Sequence, residues 1–185
     1  MKILASFAPS QDKKDRFFST APTSMGWVLA PLIAEIDNGN LPGVEYYPKI
    51  YNPLRIHQTI WEEFRALLEQ EQPDILLLSS TYDSHFSAVR LATLAKQFNP
   101  EILVVYGGPH VDEVTSQQVI AVMPQVYPFN ESVCPFDILI SGDGEMVLLR
   151  LVQEFTYRKM VVDLINYLNT QDARASFACI PGTFE

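Results

Sequence analysis

Four short, nearly continuous apolar runs punctuate the chain: residues 3–7 (ILASF), 74–78 (DILLL), 102–106 (ILVVY) and 136–140 (FDILI). Continuous rather than alternating hydrophobicity marks strands covered on both faces, as in a parallel sheet. A weaker run at 44–50 (VEYYPKI) predicts an edge strand, where Pro48 is tolerated. Between the runs the apolar period changes to that of a helix. Ile60, Phe64, Leu67 and Leu68 fall on one face, as do Ala88, Leu91, Ala92 and Ala95, with Asp83 or Ser84 as the expected cap. Val147, Leu148, Leu151, Val152 and Phe155 form a further stripe. Residues 25–36 are also helix-like, with Pro31 expected to kink the helix or shift its start.

Alternation of strand and helix predicts a three-layer, flavodoxin-like (Rossmann-like) α/β domain. Its five-stranded parallel sheet is expected in the order 2-1-3-4-5, with right-handed crossovers. We read residues 1–185 as one domain, with a core at 1–157 and a C-terminal extension at 158–185. Within it, 123–135 reads as an irregular loop, and 160–168 is compatible with one more helix.

Composition narrows the picture only a little. With 185 residues and 48% hydrophobic content, the chain suits one sizeable core. A formal charge of -9 argues against a nucleic-acid partner. Cys134 and Cys179 are too far apart for a CxxC site and are expected to be reduced thiols. The N-terminus lacks a signal-peptide pattern, and no segment approaches a membrane span, so a soluble cytoplasmic protein is expected.

In an open parallel sheet, ligands bind beyond the carboxyl ends of the strands. The residues after each run are therefore the candidates: the long polar stretch 9–24, then Ser79, Ser80, Thr81 and Tyr82, then Gly107, Gly108, Pro109 and His110, then Gly142, Asp143, Gly144 and Glu145. No GxGxxG, GxxxxGK[ST] or GxSxG is present, so dinucleotide, P-loop and hydrolase-elbow readings find no motif. A receiver domain would place paired acids directly after the first strand, whereas Asp12 and Asp15 lie well into the loop.

SSTY, VVYGGPH and DILISGDGE together resemble the N-terminal cobalamin-binding domain of cobalamin-dependent radical S-adenosylmethionine enzymes. Met25 and Gly26 open a segment similar to that family's PLG segment, with Ser24 in place of the proline. Ile180-Pro181-Gly182 is similar to the IPG that ends the domain. The resemblance implies a corrin at the carboxyl edge of the sheet, with Ser79-Ser80-Thr81 in place of an SxL motif and Gly107-Gly108 as the GG. It also implies methyl transfer by a longer parent enzyme with a C-terminal radical S-adenosylmethionine barrel. S-adenosylmethionine and a [4Fe-4S] cluster would belong to that barrel, since this chain has no CxxxCxxC. Because it starts at Met1 and stops just after IPG, we expect the chain to be the front part of that enzyme, not catalytic alone. The DxHxxG histidine of related cobalamin enzymes has no counterpart in the first loop, so no protein histidine is expected below the cobalt.

Physically, glycines admit close backbone approach, and short hydroxyls offer donors and acceptors to a cofactor's amides or tail. Each candidate also has a plainer reading. His110 closes a turn, His85 and His57 are surface or capping residues, and Tyr82 is ordinary packing. Asp143 and Glu145 cap a helix, while Gly142 and Gly144 permit a tight turn. Two other functions fit the same fold: a cofactor-free interaction domain, and a flavin- or nucleotide-binding flavodoxin-like protein.

Overall fold

The computed structural model describes residues 1–9, 23–44, 49–51, 58–113, 135–158 and 177–179. The four strong apolar runs become β1 (Ile3–Phe7), β3 (Ile75–Ser79), β4 (Leu103–Gly107) and β5 (Ile138–Ile140), and the weaker run ends in β2 (Lys49–Tyr51). Five parallel strands stand in the expected order, β2-β1-β3-β4-β5. A sixth strand, β6 (Phe177–Cys179), adds to β5 in the antiparallel sense. Three residues carry too little pattern to announce a strand, and this one lies in the segment read as an extension.

The helices are α1 (Thr23–Asp37), α2 (Ile60–Glu71), α3 (His85–Phe98), the short α4 (Pro109–Glu113) and α5 (Glu145–Arg158). Pro31 lies inside α1 and does not displace its start beyond Met25. Ser84, one of the two residues foreseen as the cap, holds the N-cap position of α3, although its side chain is spent one turn earlier. Thr81 and Ser84 form a reciprocal capping box around a 3₁₀ turn, Tyr82–Ser84, and α3 starts directly after it.

Strand alternation divides the core in two. Ile3, Ala5, Ile75, Leu77, Leu103, Val105, Ile138 and Ile140 face Leu29 and Leu32 of α1 and Leu151 and Val152 of α5. Leu4, Leu76, Leu78, Val104, Tyr106 and Leu139 face Phe64 and Leu68 of α2 and Leu91, Ala92 and Ala95 of α3. Helices therefore cover both faces, which is why the strands read as continuous apolar runs. Each fully buried Leu or Ile contributes about 1.5–3 kcal/mol.

The amino edge of the sheet is closed by charge. Asp137, before β5, is buried; its Oδ2 accepts the Val104 N–H at 2.7 Å and meets Lys96 Nζ of α3 at 2.7 Å. Lys96 also donates to the carbonyls of Pro100 (3.1 Å) and Ile102 (2.8 Å), tying the end of α3 to the start of β4. Burial holds the Asp137 carboxyl above the usual carboxylate range, against the opposing pull of Lys96 and the Val104 N–H.

No helix among the described residues is long and apolar enough to cross a membrane. The stretch 10–22, His57, Cys134, the segment 160–168 and the IPG at 180–182 lie outside the described residues, as does nearly all of 123–135.

Candidate functional site

Parallel register brings the strand tips level. Phe7 of β1 pairs with Ser79, and Ser79 pairs with Gly107 of β4. Three backbone bonds stitch the tips together: Ala8 N–H to the Ser79 carbonyl (2.9 Å), Ser80 N–H to the Gly107 carbonyl (3.3 Å), and His110 N–H to the Ser80 carbonyl (3.2 Å). Most of the tip's backbone polarity is thus consumed within the protein.

Gly108 explains why this turn needs glycine. Its φ is +99°, and a Cβ there would stand 2.5 Å from Ser79 Oγ and 3.0 Å from both the N and O of Ser80. A Cβ on Gly107 would come within 3.2 Å of the Ile140 carbonyl. The bare α-carbons of both glycines therefore face neighbouring strand tips. Two other candidates are open: an added Cβ on Gly26 or Gly142 meets nothing within 4 Å, although Gly142 has φ +74°.

Behind β3 and β4 lies a group that sequence reasoning did not assemble. Ser80 is buried, and its Oγ hydrogen-bonds Tyr106 Oη, which in turn lies 2.8 Å from His85 Nδ1. Phe136 stacks on Tyr106 with ring centres 4.3 Å apart, and His110 packs on His85 at 4.5 Å. His85 is only 3% exposed, which corrects its reading as a surface residue, while its backbone N–H closes the 3₁₀ turn on the Tyr82 carbonyl. Burial first, and the neighbouring His110 second, lower its pKa to about 4, so the ring is neutral at physiological pH. Burial likewise raises Tyr106 well above the usual phenol range, keeping its proton in place. The available signal was Tyr106 itself, a phenol in an otherwise aliphatic strand whose hydroxyl needs a buried partner.

Tyr82 is not ordinary packing: it is 77% exposed, with its ring edge-on to His110 at 5.6 Å. Pro109 is exposed and opens α4. On the other side, Gly144 sits against Ile140 and against Val28 of α1, making the starts of α1 and α5 neighbours. Gly142 and Asp143 are exposed, and Glu145 occupies the first turn of α5, where a carboxylate suits the helix dipole. Met25 is buried in the core, so Gly26 is the member of that pair at the surface. Trp27 and Met146, near the starts of α1 and α5, are 73% and 66% exposed. No group of three or more potential metal-ligating side chains occurs among the described residues.

The molecule is thus a flavodoxin-like α/β domain whose candidate residues gather at the carboxyl edge of a parallel sheet. No protein-family model matches the chain. The uncharacterized methyltransferase PH0819 of Pyrococcus horikoshii is 27% identical over 157 residues, covering 82% of this chain and 29% of that protein. The chain accordingly spans less than a third of that relative's length. Among solved structures, the methanol:cobalamin methyltransferase complex MtaBC from Methanosarcina barkeri is similar in fold. The TM-score is 0.53 over 90% of this chain and 50% of that chain, at 12% identity.

Proposed function

We propose that this chain is a cobalamin-binding domain that holds the corrin at the carboxyl edge of its sheet and serves a methyltransferase. The observation that carries this reading is the form of that edge. The tips of β1, β3 and β4 end level and are bonded to one another; exposed Tyr82 follows the β3 tip, and exposed Trp27 and Met146 lie near the starts of α1 and α5. A broad, mostly apolar macrocycle suits such a surface. The fold shared with a methanol:cobalamin methyltransferase complex and the relative named as a methyltransferase support the same reading.

The residues that would hold the cofactor are Ser79, Ser80, Thr81 and Tyr82 from the β3 tip, Pro109 and His110 after β4, Gly142, Asp143, Gly144 and Glu145 after β5, and Gly26 in α1. Gly107 and Gly108 serve by keeping those tips level. When bound, cobalamin supplies a cobalt centre able to carry a methyl group. This chain's own part is to seat the corrin and supply hydrogen bonds to its polar groups. The first loop contains no histidine, so the DxHxxG position from which related cobalamin enzymes supply the ligand below the cobalt has no counterpart in this chain.

The finer assignment follows the motifs SSTY, VVYGGPH and DILISGDGE, which favour the radical S-adenosylmethionine branch. In that case a [4Fe-4S] cluster and S-adenosylmethionine are bound by a separate barrel domain that covers the corrin. The two cysteines here are too few to ligate such a cluster in the three-cysteine manner of that branch.

The test is direct. The purified chain is mixed with hydroxocobalamin, passed through gel filtration and examined for co-eluting corrin absorbance, with flavin mononucleotide as the comparison ligand. Co-elution of corrin alone is expected. No retention under either oxidising or reducing conditions would overturn the reading in favour of a cofactor-free domain, and retention of flavin alone would favour a flavodoxin-type protein.

A further inference from the structure

Ser80, Tyr106 and His85 form a buried hydrogen-bond line, and the direction of its protons has a consequence at the surface. Two arrangements are chemically complete. In one, the His85 proton sits on Nε2, Tyr106 donates to Nδ1, and Ser80 donates to Tyr106. In the other, Nδ1 carries the proton and donates to Tyr106 Oη, which donates to Ser80 Oγ. The first consumes the Ser80 proton and leaves that side chain only as an acceptor. The second frees the Ser80 proton for another group.

The surroundings of His85 discriminate between them. Its Nε2 is buried and meets no hydrogen-bond partner among the described residues. An N–H sealed there would lose its whole hydration without return, whereas a bare lone pair is the lesser loss. The ring is held in place by His110 at 4.5 Å and by the Tyr106 bond at 2.8 Å, so it does not turn to exchange its nitrogens.

We propose that His85 keeps its proton on Nδ1 and, through Tyr106, makes the Ser80 hydroxyl a hydrogen-bond donor toward an acceptor oxygen or nitrogen of the bound ligand. His85 and Tyr106 are then positioning residues for the carboxyl-edge site. Ser80 is 3% exposed, so an acceptor that reaches it is desolvated with it, the setting in which the sense of one hydrogen bond counts most. The ligand half of this inference rests on the cobalamin reading; the direction of the line does not.

The whole chain, labelled with ¹⁵N-histidine, is examined by long-range ¹H–¹⁵N spectroscopy at pH 7. The expected result is the Nδ1–H tautomer for His85, with a shift toward Nε2–H in Tyr106→Phe, where Nδ1 has lost its acceptor. Hydroxocobalamin titration is expected to show affinity weakened about 5- to 10-fold in Ser80→Ala and in Tyr106→Phe. An Nε2–H tautomer in the unaltered chain overturns the proposal, as does undiminished affinity in Ser80→Ala. Failure of the unaltered chain to bind the corrin removes the functional reading alone, and the tautomer still decides the line. That measurement needs no variant, so a Tyr106→Phe chain that fails to fold leaves the test intact.

Discussion

Gly108 and Gly142 both hold positive φ angles at the carboxyl edge, yet they differ in what an added methyl would strike. At Gly108 the backbone strain and the collision with Ser79 and Ser80 add, so Gly108→Ala is expected to cost about 2–4 kcal/mol. At Gly142 only the backbone term remains, so Gly142→Ala is expected to cost about 1 kcal/mol. Urea denaturation of the two variants measures the difference. His85 carries the second prediction at this scale. Its folded-state pKa of about 4 lies below the ordinary 6.5, so the unfolded chain takes up a proton that the native ring refuses. Its contribution is fully present above pH 6.5 and is lost as pH falls toward 4, by about 2 kcal/mol at pH 5. Comparing urea midpoints at pH 7 and pH 5 should show a smaller decrease in His85→Leu than in the unaltered chain. That GGPH is a special turn was legible in the sequence. The direction in which its glycines face was not, because it depends on two other strand tips, Ser79-Ser80 earlier in the chain for Gly108 and Ile140 later in it for Gly107.

Among the elements, β5 is the strand whose placement depends most on a polar residue. Asp137 joins it to β4 through the Val104 N–H and to α3 through Lys96. Lys96→Met leaves a buried carboxylate without its cation and is expected to cost about 3 kcal/mol. Removing both charges in Lys96→Met/Asp137→Leu should cost less than the sum of the single changes, as a double-mutant cycle in urea would show. The strands and helix stripes were legible because burial on two faces writes continuous apolar runs, and packing on one face writes a 3.6-residue period. Asp137 was hidden inside such a run, FDILI, which was read for its apolar residues alone. β6 was hidden for another reason: a three-residue strand is defined by its partner, and that partner lies more than thirty residues upstream.

At the scale of the molecule, the two edges of the sheet differ in kind. The amino edge buries its ion pair, while Trp27, Tyr82 and Met146, near helix starts that follow the strands' carboxyl ends, are exposed; a fourth exposed ring, Tyr157, lies at the far end of α5. Exposed side chains contribute little to folding, so Trp27→Ala, Tyr82→Ala and Met146→Ala are each expected to change stability by no more than about 0.5 kcal/mol. Under the cobalamin reading, at least one of them should weaken hydroxocobalamin retention about 5-fold or more. Thermal melts and gel filtration of the three variants separate the two effects. Unchanged retention in all three would show that these side chains take no part in holding the corrin. The parallel sheet covered on both faces was readable from strand and helix alternation; its order 2-1-3-4-5 came with the flavodoxin-like reading, and the antiparallel β6 was not foreseen. The Ser80–Tyr106–His85 line was not, because it joins residues from three different positions in the topology.

The inward-facing glycines also bear on how this domain can be altered. A binding surface is usually enlarged or narrowed by changing its smallest residues, and Gly107-Gly108 looks like the natural starting point. Here Gly108 is locked between Ser79 and Ser80 at a positive φ, so substitutions there would be eliminated as folding defects before any change of ligand could be seen, and Gly107 has only narrow room beside the Ile140 carbonyl. Gly26 and Gly142 border open space instead, and Gly26 does so without a positive φ. A library seeking altered ligand preference has its widest freedom at Gly26, on the first turn of α1, away from the motif that draws the eye.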